Sequence, residues 1–198
     1  MKTFTKTFTY LTLASAVLMG YMAATGPVTA ETTMAKPSVM KTSMRTAEPT
    51  FNDLEIAHIA YTAGSIDIRY AHLALALSDD PEVRKFAELM IRDHSAINNK
   101  ALALVKKLQI TPQDNAMSQQ LNEKANQIRM ELSQLRGEAF AKRYATNELG
   151  YHQTVNKVVE NVFIPQAQNP ELKALLTSAL QTFKVHEGHA ETMNQKVM

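Results

Sequence analysis

Four ionisable side chains in this sequence each interrupt an otherwise apolar helical stripe. They are Asp67, His94, His152 and His186, and Glu148 lies one helical turn before His152. Burying a carboxylate or an imidazole without a partner costs several kcal/mol, so such positions rarely occur in a core without a reason. Three imidazoles with one or two carboxylates make a donor set that suits Zn, Mn, Fe or Cu. These five residues are therefore candidate metal ligands, and the candidate cofactor is a transition-metal ion.

The same groups also have a metal-free interpretation. Histidine and carboxylate side chains that meet in a core can satisfy one another through hydrogen bonds and form a structural network. From the residues alone this network is the preferred interpretation, because it requires no ligand. Both hypotheses need the side chains of Asp67, His94, His152 and His186 to converge.

Hydrophobic periodicity predicts the elements that would bring these side chains together. The expected long helices lie at about 51–77, 81–108, 137–164 and 170 to near the C-terminus. Thr50 is predicted to cap the first helix, while Pro81 and Pro170 suit the first positions of the second and fourth. A shorter, more polar helix between 112 and 135 is expected to serve as a connection. No run alternates with a strand period, so the predicted class is all-α: a ferritin-like four-helix bundle with a short extra helix between its second and third long helices.

The heights of the candidate ligands can be estimated from the two predicted helical hairpins. At 1.5 Å of rise per residue, Asp67 and His94 should differ in height by only about 3 Å. His152 and His186 should differ by about 6 Å, and Glu148 should lie nearly level with His186. The sequence therefore predicts that all five side chains approach the middle of the bundle.

The N-terminal segment has the features of an export signal. Lys2 and Lys6 precede an apolar run from Leu11 to Ala24, and Val28-Thr29-Ala30 forms a small-residue cleavage site. We therefore expect a signal peptide at 1–30, export to the periplasm or secretion, and no transmembrane segment after cleavage. Residues 31–50 are polar and carry two prolines, which predicts a flexible linker before a bundle domain at 51–198. Three linker methionines could be copper ligands, but their spacing fits no fixed geometry (Met34, Met40 and Met44).

Composition excludes several classes of function. The sequence has 21 basic and 19 acidic residues, and two of the basic residues belong to the predicted signal peptide, so the remainder is balanced. A balanced charge without a dense basic run argues against a nucleic-acid partner. The chain has no cysteine, which excludes disulfides, thiolate metal sites and cysteine nucleophiles.

Two familiar metal motifs are incomplete in this sequence. A di-iron bundle uses two Glu-x-x-His pairs and two further glutamates, whereas the sole such pair here joins Glu55 to His58, away from the apolar stripe. A zinc-protease helix would need histidine at position 190, which is Ala190. His72 and His189 lie beside the apolar stripes and are expected to be peripheral. These patterns predict neither a ferroxidase centre nor a protease.

From Asn52 to Met193 the sequence resembles a bacterial ferritin-like family known as domain of unknown function 4142, whose members are often labelled outer-membrane proteins. The segments that carry the resemblance are Ala63–Ile68, Pro81–Ala87, Met90–His94, Phe140–Tyr144, His152 and Leu180–His186. The chain departs from the family pattern at three positions. Asp67 stands where glutamate is usual, Ala141 replaces an acid, and Gln181 replaces a proline. The resemblance implies an exported ferritin-like bundle and carries no assigned reaction.

Three hypotheses about function follow from the sequence. The first is a non-enzymatic, exported bundle whose central His/Asp site binds a transition metal. The second is a metal-dependent redox enzyme, which would need an open coordination position and is less favoured. The third is an envelope structural, stress or interaction protein in which the buried histidines specify packing without metal. The sequence does not identify protein partners.

Overall fold

The computed structural model describes residues 49–198, and the regular secondary structure of these residues is entirely helical. The predicted signal peptide and nearly all of the predicted linker, with its three methionines, lie outside the described residues. The α-helices are α1 (Asp53–Leu77), α2 (Pro81–Leu108), α3 (Ala116–Ser133), α4 (Gly137–Val158), α5 (Ile164–Gln166) and α6 (Pro170–Val197). A π-helical turn, Val159–Phe163, joins α4 to α5. Among these helices, none is both long enough and apolar enough to cross a membrane.

The first helix begins later than predicted, because its cap is Asn52 rather than Thr50. The Asn52 side-chain oxygen accepts hydrogen bonds from the amides of Leu54 and Glu55, at 2.9 and 3.0 Å. The Glu55 carboxylate accepts the Asn52 amide in return, at 3.0 Å. This reciprocal capping box satisfies amides that the first helical turn leaves without partners. Thr50 lies two residues too early to reach them.

The third long helix is interrupted rather than continuous to residue 164. Regular α-helical bonding ends at Val158, and the wider π-helical turn carries the chain to Phe163. Pro165 follows closely and has no amide hydrogen, so it cannot donate to the carbonyl of Asn161. Pro165 thus explains the loss of one helical hydrogen bond near the end of this helix. The sequence did not predict the π-helical turn that precedes the proline.

The helices pack so that α1 lies along α2 and α4 lies along α6. In addition, α2 contacts α6 and α1 contacts α3. Two apolar clusters result, one containing Ile56 and Ile59 of α1, the other containing Ile66 and Tyr70 of the same helix. Asp67 therefore lies on α1 close to the boundary between the two apolar clusters.

Gly64 of α1 lies directly against the side chain of Asn98 of α2. A Cβ atom at this position would lie 2.5 Å from the Asn98 side-chain oxygen, well inside van der Waals contact. Asn98 is itself buried and donates a hydrogen bond to the Ser65 hydroxyl at 3.2 Å. A side chain at position 64 would therefore displace a hydrogen-bonded amide one turn before Asp67.

We expect Gly64→Ala to lower the free energy of unfolding by about 1–3 kcal/mol, the usual cost of overpacking. Gly150→Ala is the matched control, because Gly150 is exposed within α4 and its added Cβ would meet no described atom within 4 Å. The control should gain up to about 1 kcal/mol from helix propensity. Chemical denaturation of both variants measures the two effects, and stabilisation by both substitutions would contradict the close approach at Gly64.

Candidate metal centre

The structure brings the five candidate ligands together, and all five are buried. The Nε2 atoms of His94 and His152 lie 3.1 and 3.3 Å from the same oxygen, Oδ2 of Asp67. One nitrogen from each of His94, His152 and His186 can be chosen so that all three lie within 4.8 Å of one another. Glu148, Asp67 and His152 form a second such group, in which one ligand atom of each lies within 4.8 Å of the others, and the Glu148 carboxylate lies 3.9 Å from His152 Nδ1.

The two Asp67–histidine spacings are close to those between the ligands of one small cation. With metal–ligand bonds of 2.0–2.1 Å, two ligand atoms of a tetrahedral site are roughly 3.3–3.5 Å apart. The two Asp67–histidine distances, 3.1 and 3.3 Å, fall at or just below this range. Both Asp67 oxygens and both Nε2 atoms have no aligned hydrogen-bonding partner within residues 49–198, although the His94 contact is short enough to lower the pKa of Asp67 as a hydrogen bond does.

The orientation of His152 is determined by its other ring nitrogen. Nδ1 lies 2.9 Å from the backbone oxygen of Glu148, and because a carbonyl can only accept, Nδ1 must carry the hydrogen. In the neutral ring, Nε2 then presents a lone pair to the Asp67 carboxylate. Two electron-rich atoms facing each other repel unless a cation or a proton lies between them. A carbonyl on the outer nitrogen of a histidine is also a common arrangement behind metal ligands.

His186 has a similar support from Asp93, a residue that the sequence analysis did not select. His186 Nε2 lies 3.0 Å from Asp93 Oδ2, which leaves Nδ1 buried and without a partner among the described residues. Arg92 donates to the other oxygen of Asp93 at 2.7 Å. Asp93 directly precedes His94 in the sequence, but this adjacency did not show that its side chain would reach α6.

Aromatic rings restrict the motion of the imidazoles. Phe183 stacks on His94 with centroids 5.0 Å apart and an interplanar angle of 7°. Phe86 meets His152 edge to face at 6.0 Å. Phe86 and Phe183 lie at helical spacing from other apolar residues of α2 and α6, which indicates core positions but not contact with the histidines.

Burial and neighbouring charges shift the pKa values in the directions that metal binding requires. Burial lowers the pKa of His152, opposed by Asp67, and lowers the pKa of His186 to about 4, opposed by the hydrogen bond to Asp93. Burial acts to raise the pKa of Asp67, but the imidazoles of His94 and His152 outweigh it and hold that pKa below its usual value. Burial thus favours neutral His152 and His186, the form in which imidazoles bind metal, and positive charge in the cluster, whether on an imidazole or on a metal ion, favours the ionised form of Asp67.

Glu148 differs from Asp67 in its protonation. Burial raises the pKa of Glu148 well above its usual value, and the negative charge of Asp67 acts in the same direction. Its Oε1 accepts a hydrogen bond from Asn147 at 3.3 Å, which opposes this shift. Without a cation nearby, Glu148 therefore holds a proton, and the cluster contains one carboxylate charge rather than two.

The remaining sequence candidates lie away from this centre. His72 and His189 are exposed, as the sequence analysis expected. His58 is half-buried and lies 3.6 Å from Asp114, while Glu55 is used in the cap of α1. Ala141, where the family pattern has an acid, is buried in an apolar cluster. The carboxylate that supports a histidine here is Asp93.

An elongated cavity of about 420 Å³ begins at the cluster. Asp67, His94 and His152 line one end of it, and apolar side chains of α1, α2, α4 and α6 form most of the remaining wall. The cavity is partly open to solvent between half-buried apolar side chains, so water or a ligand can occupy it.

Comparison with known families agrees with the resemblance seen in the sequence. A family model described as Domain of unknown function (DUF4142) matches residues 38–193, which is more than half of the chain. The chain belongs to the DUF4142 family. No curated protein and no solved structure gives a significant match. The DUF4142 domain therefore has to be interpreted from its own side chains.

Proposed function

We propose that this DUF4142 domain binds one transition-metal ion through Asp67, His94, His152 and His186. The observation that carries the proposal is the approach of two imidazole nitrogens to one Asp67 oxygen, at 3.1 and 3.3 Å, without hydrogen-bond alignment. At His152 the ring hydrogen is committed to a backbone carbonyl, so a cation or an additional proton has to lie between the facing lone pairs, and a bound metal ion would be that cation. The donor set suits Zn, Mn, Fe or Cu.

A bound ion would supply positive charge and Lewis acidity at the end of the cavity. His152 and His186 would be oriented by the Glu148 carbonyl and by Asp93, as outer hydrogen-bonding partners orient metal-ligating histidines. Glu148 lies in one group with Asp67 and His152 but holds a proton in the metal-free cluster, so it would be an additional donor rather than a principal ligand. We assign metal binding to this centre and no reaction.

The proposal includes export and the ferritin-like arrangement of a four-helix bundle. Export is supported by the pattern of residues 1–30, and the arrangement by the pairwise packing of α1 with α2 and α4 with α6. Periplasmic fractionation of cells expressing the full chain, with mass spectrometry of the mature N-terminus, tests export. We expect cleavage after Ala30, and an uncleaved chain in the cytoplasm would contradict it.

The metal content of the natively expressed full chain tests the central proposal. We expect about one ion per chain in protein purified without a histidine tag, because the two groups of candidate ligands share His152 and lie in one cluster. Glu148→Gln should retain the ion, while His94→Ala should lose it. Less than a tenth of an ion per chain in wild type, with no uptake after dialysis against Zn, Mn, Fe or Cu, would contradict metal binding.

Asp93→Asn tests whether Asp93 supports a ligand. An amide preserves the shape of Asp93 but removes the charge that orients His186, so we expect metal affinity to fall by about 10- to 100-fold. Asp79→Asn, at an exposed carboxylate before α2, is the control and should leave the affinity unchanged. Competition with a chromophoric chelator measures the metal affinity of both variants. Equal affinities would show that Asp93 does not support a metal ligand.

A metal-free packing network is the second candidate, and the direct hydrogen bond between His186 and Asp93 at 3.0 Å is the observation that favours it. In that case the histidines would contribute to a unique packing arrangement, and replacing one with leucine would cost little or stabilise the domain. The alternative outcome is that His94→Leu is much less stable than wild type when both are supplied with metal, but not when both are metal-free. That result would instead favour metal binding.

A further inference from the structure

The cavity beside the cluster has the composition of a site for an aliphatic chain. Its wall includes Ile97, Leu104 and Leu108 of α2, and Val155 of α4 and Leu175 of α6 lie on other sides. The volume of about 420 Å³ is within the range of ligand-binding cavities. An apolar wall of this kind excludes sugars, nucleotides and phosphorylated molecules, whose polar groups would lose their hydration without gaining partners.

The cavity is long rather than round. Along α1 its lining extends from Asp53 to Asp67, which corresponds to roughly 20 Å at the helical rise. Several lining side chains, including Leu104, Leu108 and Leu175, are only half-buried, so the apolar wall reaches solvent between the helices. An extended single chain fits this shape better than a compact ring system.

The unsatisfied polar groups of the lining are concentrated at one end. Asp67, His94 and His152 are more than nine-tenths buried and present atoms that have no hydrogen-bonding partner within residues 49–198. Elsewhere in the lining, Asn98 is hydrogen-bonded to Ser65 and the Tyr151 hydroxyl donates to a backbone oxygen of α1. Asp53, at the other end, accepts two backbone amides at 2.8 Å each. A ligand with one polar terminus would place that terminus at the cluster.

We propose that the cavity binds a single-chain aliphatic carboxylate of the fatty-acid class, with the chain along the apolar wall and the head group against Asp67, His94 and His152. The head-group placement rests on the proposed metal site, because without a cation the ionised Asp67 would repel a carboxylate. Occupation by the chain does not depend on the metal, since it uses the apolar wall alone.

Calorimetric titrations with dodecanol and dodecanoate, on the chelator-treated and the zinc-loaded domain, separate the two parts. Dodecanol should bind both forms with similar affinity, and each methylene added between octanol and dodecanol should tighten binding by roughly fourfold. Dodecanoate should bind the zinc-loaded form at least about tenfold more tightly than the chelated form, since a carboxylate paired with a cation in a low-dielectric site is favoured.

A matched pair of variants on α2 locates the binding site. Ala101 lines the cavity and Ala103, two residues later, is exposed outside it. Ala101→Phe fills the cavity and should weaken dodecanol binding by at least tenfold, whereas Ala103→Phe should bind like wild type. Ala60→Phe, which fills the cavity from α1, provides a second test if Ala101→Phe does not fold.

Each outcome bears on a different part of the inference. Absence of saturable dodecanol binding to chelated wild type, or equal binding by Ala101→Phe and Ala103→Phe, would overturn the chain site whether or not zinc binds. Dodecanol binding without a zinc-dependent gain for dodecanoate would overturn the head-group placement. Failure to retain zinc would overturn the proposed function and the head-group placement together, while dodecanol binding would still decide the chain site.

Discussion

Zinc should raise the free energy of unfolding of the wild-type domain by about 4 kcal/mol when the free ion exceeds its dissociation constant a thousandfold. This gain should disappear in His94→Ala. The ion binds the folded domain because four donors converge there. In the unfolded chain these donors, which are far apart in the sequence, do not converge. His94 is central to the cluster, since its Nε2 atom lies 3.1 Å from Asp67 and its ring lies 5.2 Å from His186.

The effect must be measured as a difference between the zinc-loaded and chelated forms of each variant. His94→Ala also removes a ring that stacks on Phe183, so its chelated form is expected to be less stable than chelated wild type. His72→Ala is the control, because His72 is an exposed histidine of α1. Denaturant titrations should show the full gain in His72→Ala. An equal zinc-dependent gain in His94→Ala would place the ion elsewhere.

The metal-free domain should become more stable as pH rises from about 4 to 6.5. In this range the unfolded chain protonates its histidines, whereas burial keeps His152 and His186 neutral in the fold, with the pKa of His186 at about 4. The unfolded state therefore binds more protons, and each histidine can contribute up to about 1.4 kcal/mol per pH unit. Glu148 opposes this trend. Its folded pKa is raised, so from about pH 4.5 upward the unfolded state loses that proton first.

Glu148→Gln isolates the contribution of Glu148 to the pH dependence of the free energy of unfolding, which opposes that of the histidines. The amide is neutral at every pH, so the variant should show a steeper rise than wild type between pH 4.5 and 6.5 and should lack the decline that Glu148 causes above pH 6.5. Glu88→Gln, at an exposed glutamate of α2, is the matched control. Free energies of unfolding with chelator present, measured from pH 4 to pH 8.5, give both profiles. Parallel profiles for wild type and Glu148→Gln would show that Glu148 does not retain its proton in the fold.

Helical periodicity was sufficient to predict that four polar residues of the apolar faces would meet. Asp67, His94, His152 and His186 each occupy a position on the inward face of a long helix, and the prolines at 81 and 170 define where two of those helices begin. Given the starts and a constant rise, the heights of the side chains follow. This is why the cluster could be predicted without knowing how the helices pack in detail.

The cavity could not be predicted in the same way. Ile97, Ala101 and Leu104 continue the apolar stripe of α2 and were expected in the core, yet all three are only half-buried and line the cavity. Periodicity shows which face of a helix points inward, but it does not give the distance between facing helices. The support of His186 by Asp93 was missed for a related reason, because it depends on which helix lies beside α2.

The location of a bound ion is the most direct test of the metal centre. Crystals of the zinc-loaded domain, measured at wavelengths on both sides of the zinc absorption edge, would reveal the ion by anomalous scattering. We predict one strong peak about 2.0–2.2 Å from His94 Nε2, His152 Nε2 and an oxygen of Asp67, with His186 completing the site. A peak confined to surface residues such as His72, or none in this cluster, would contradict the account.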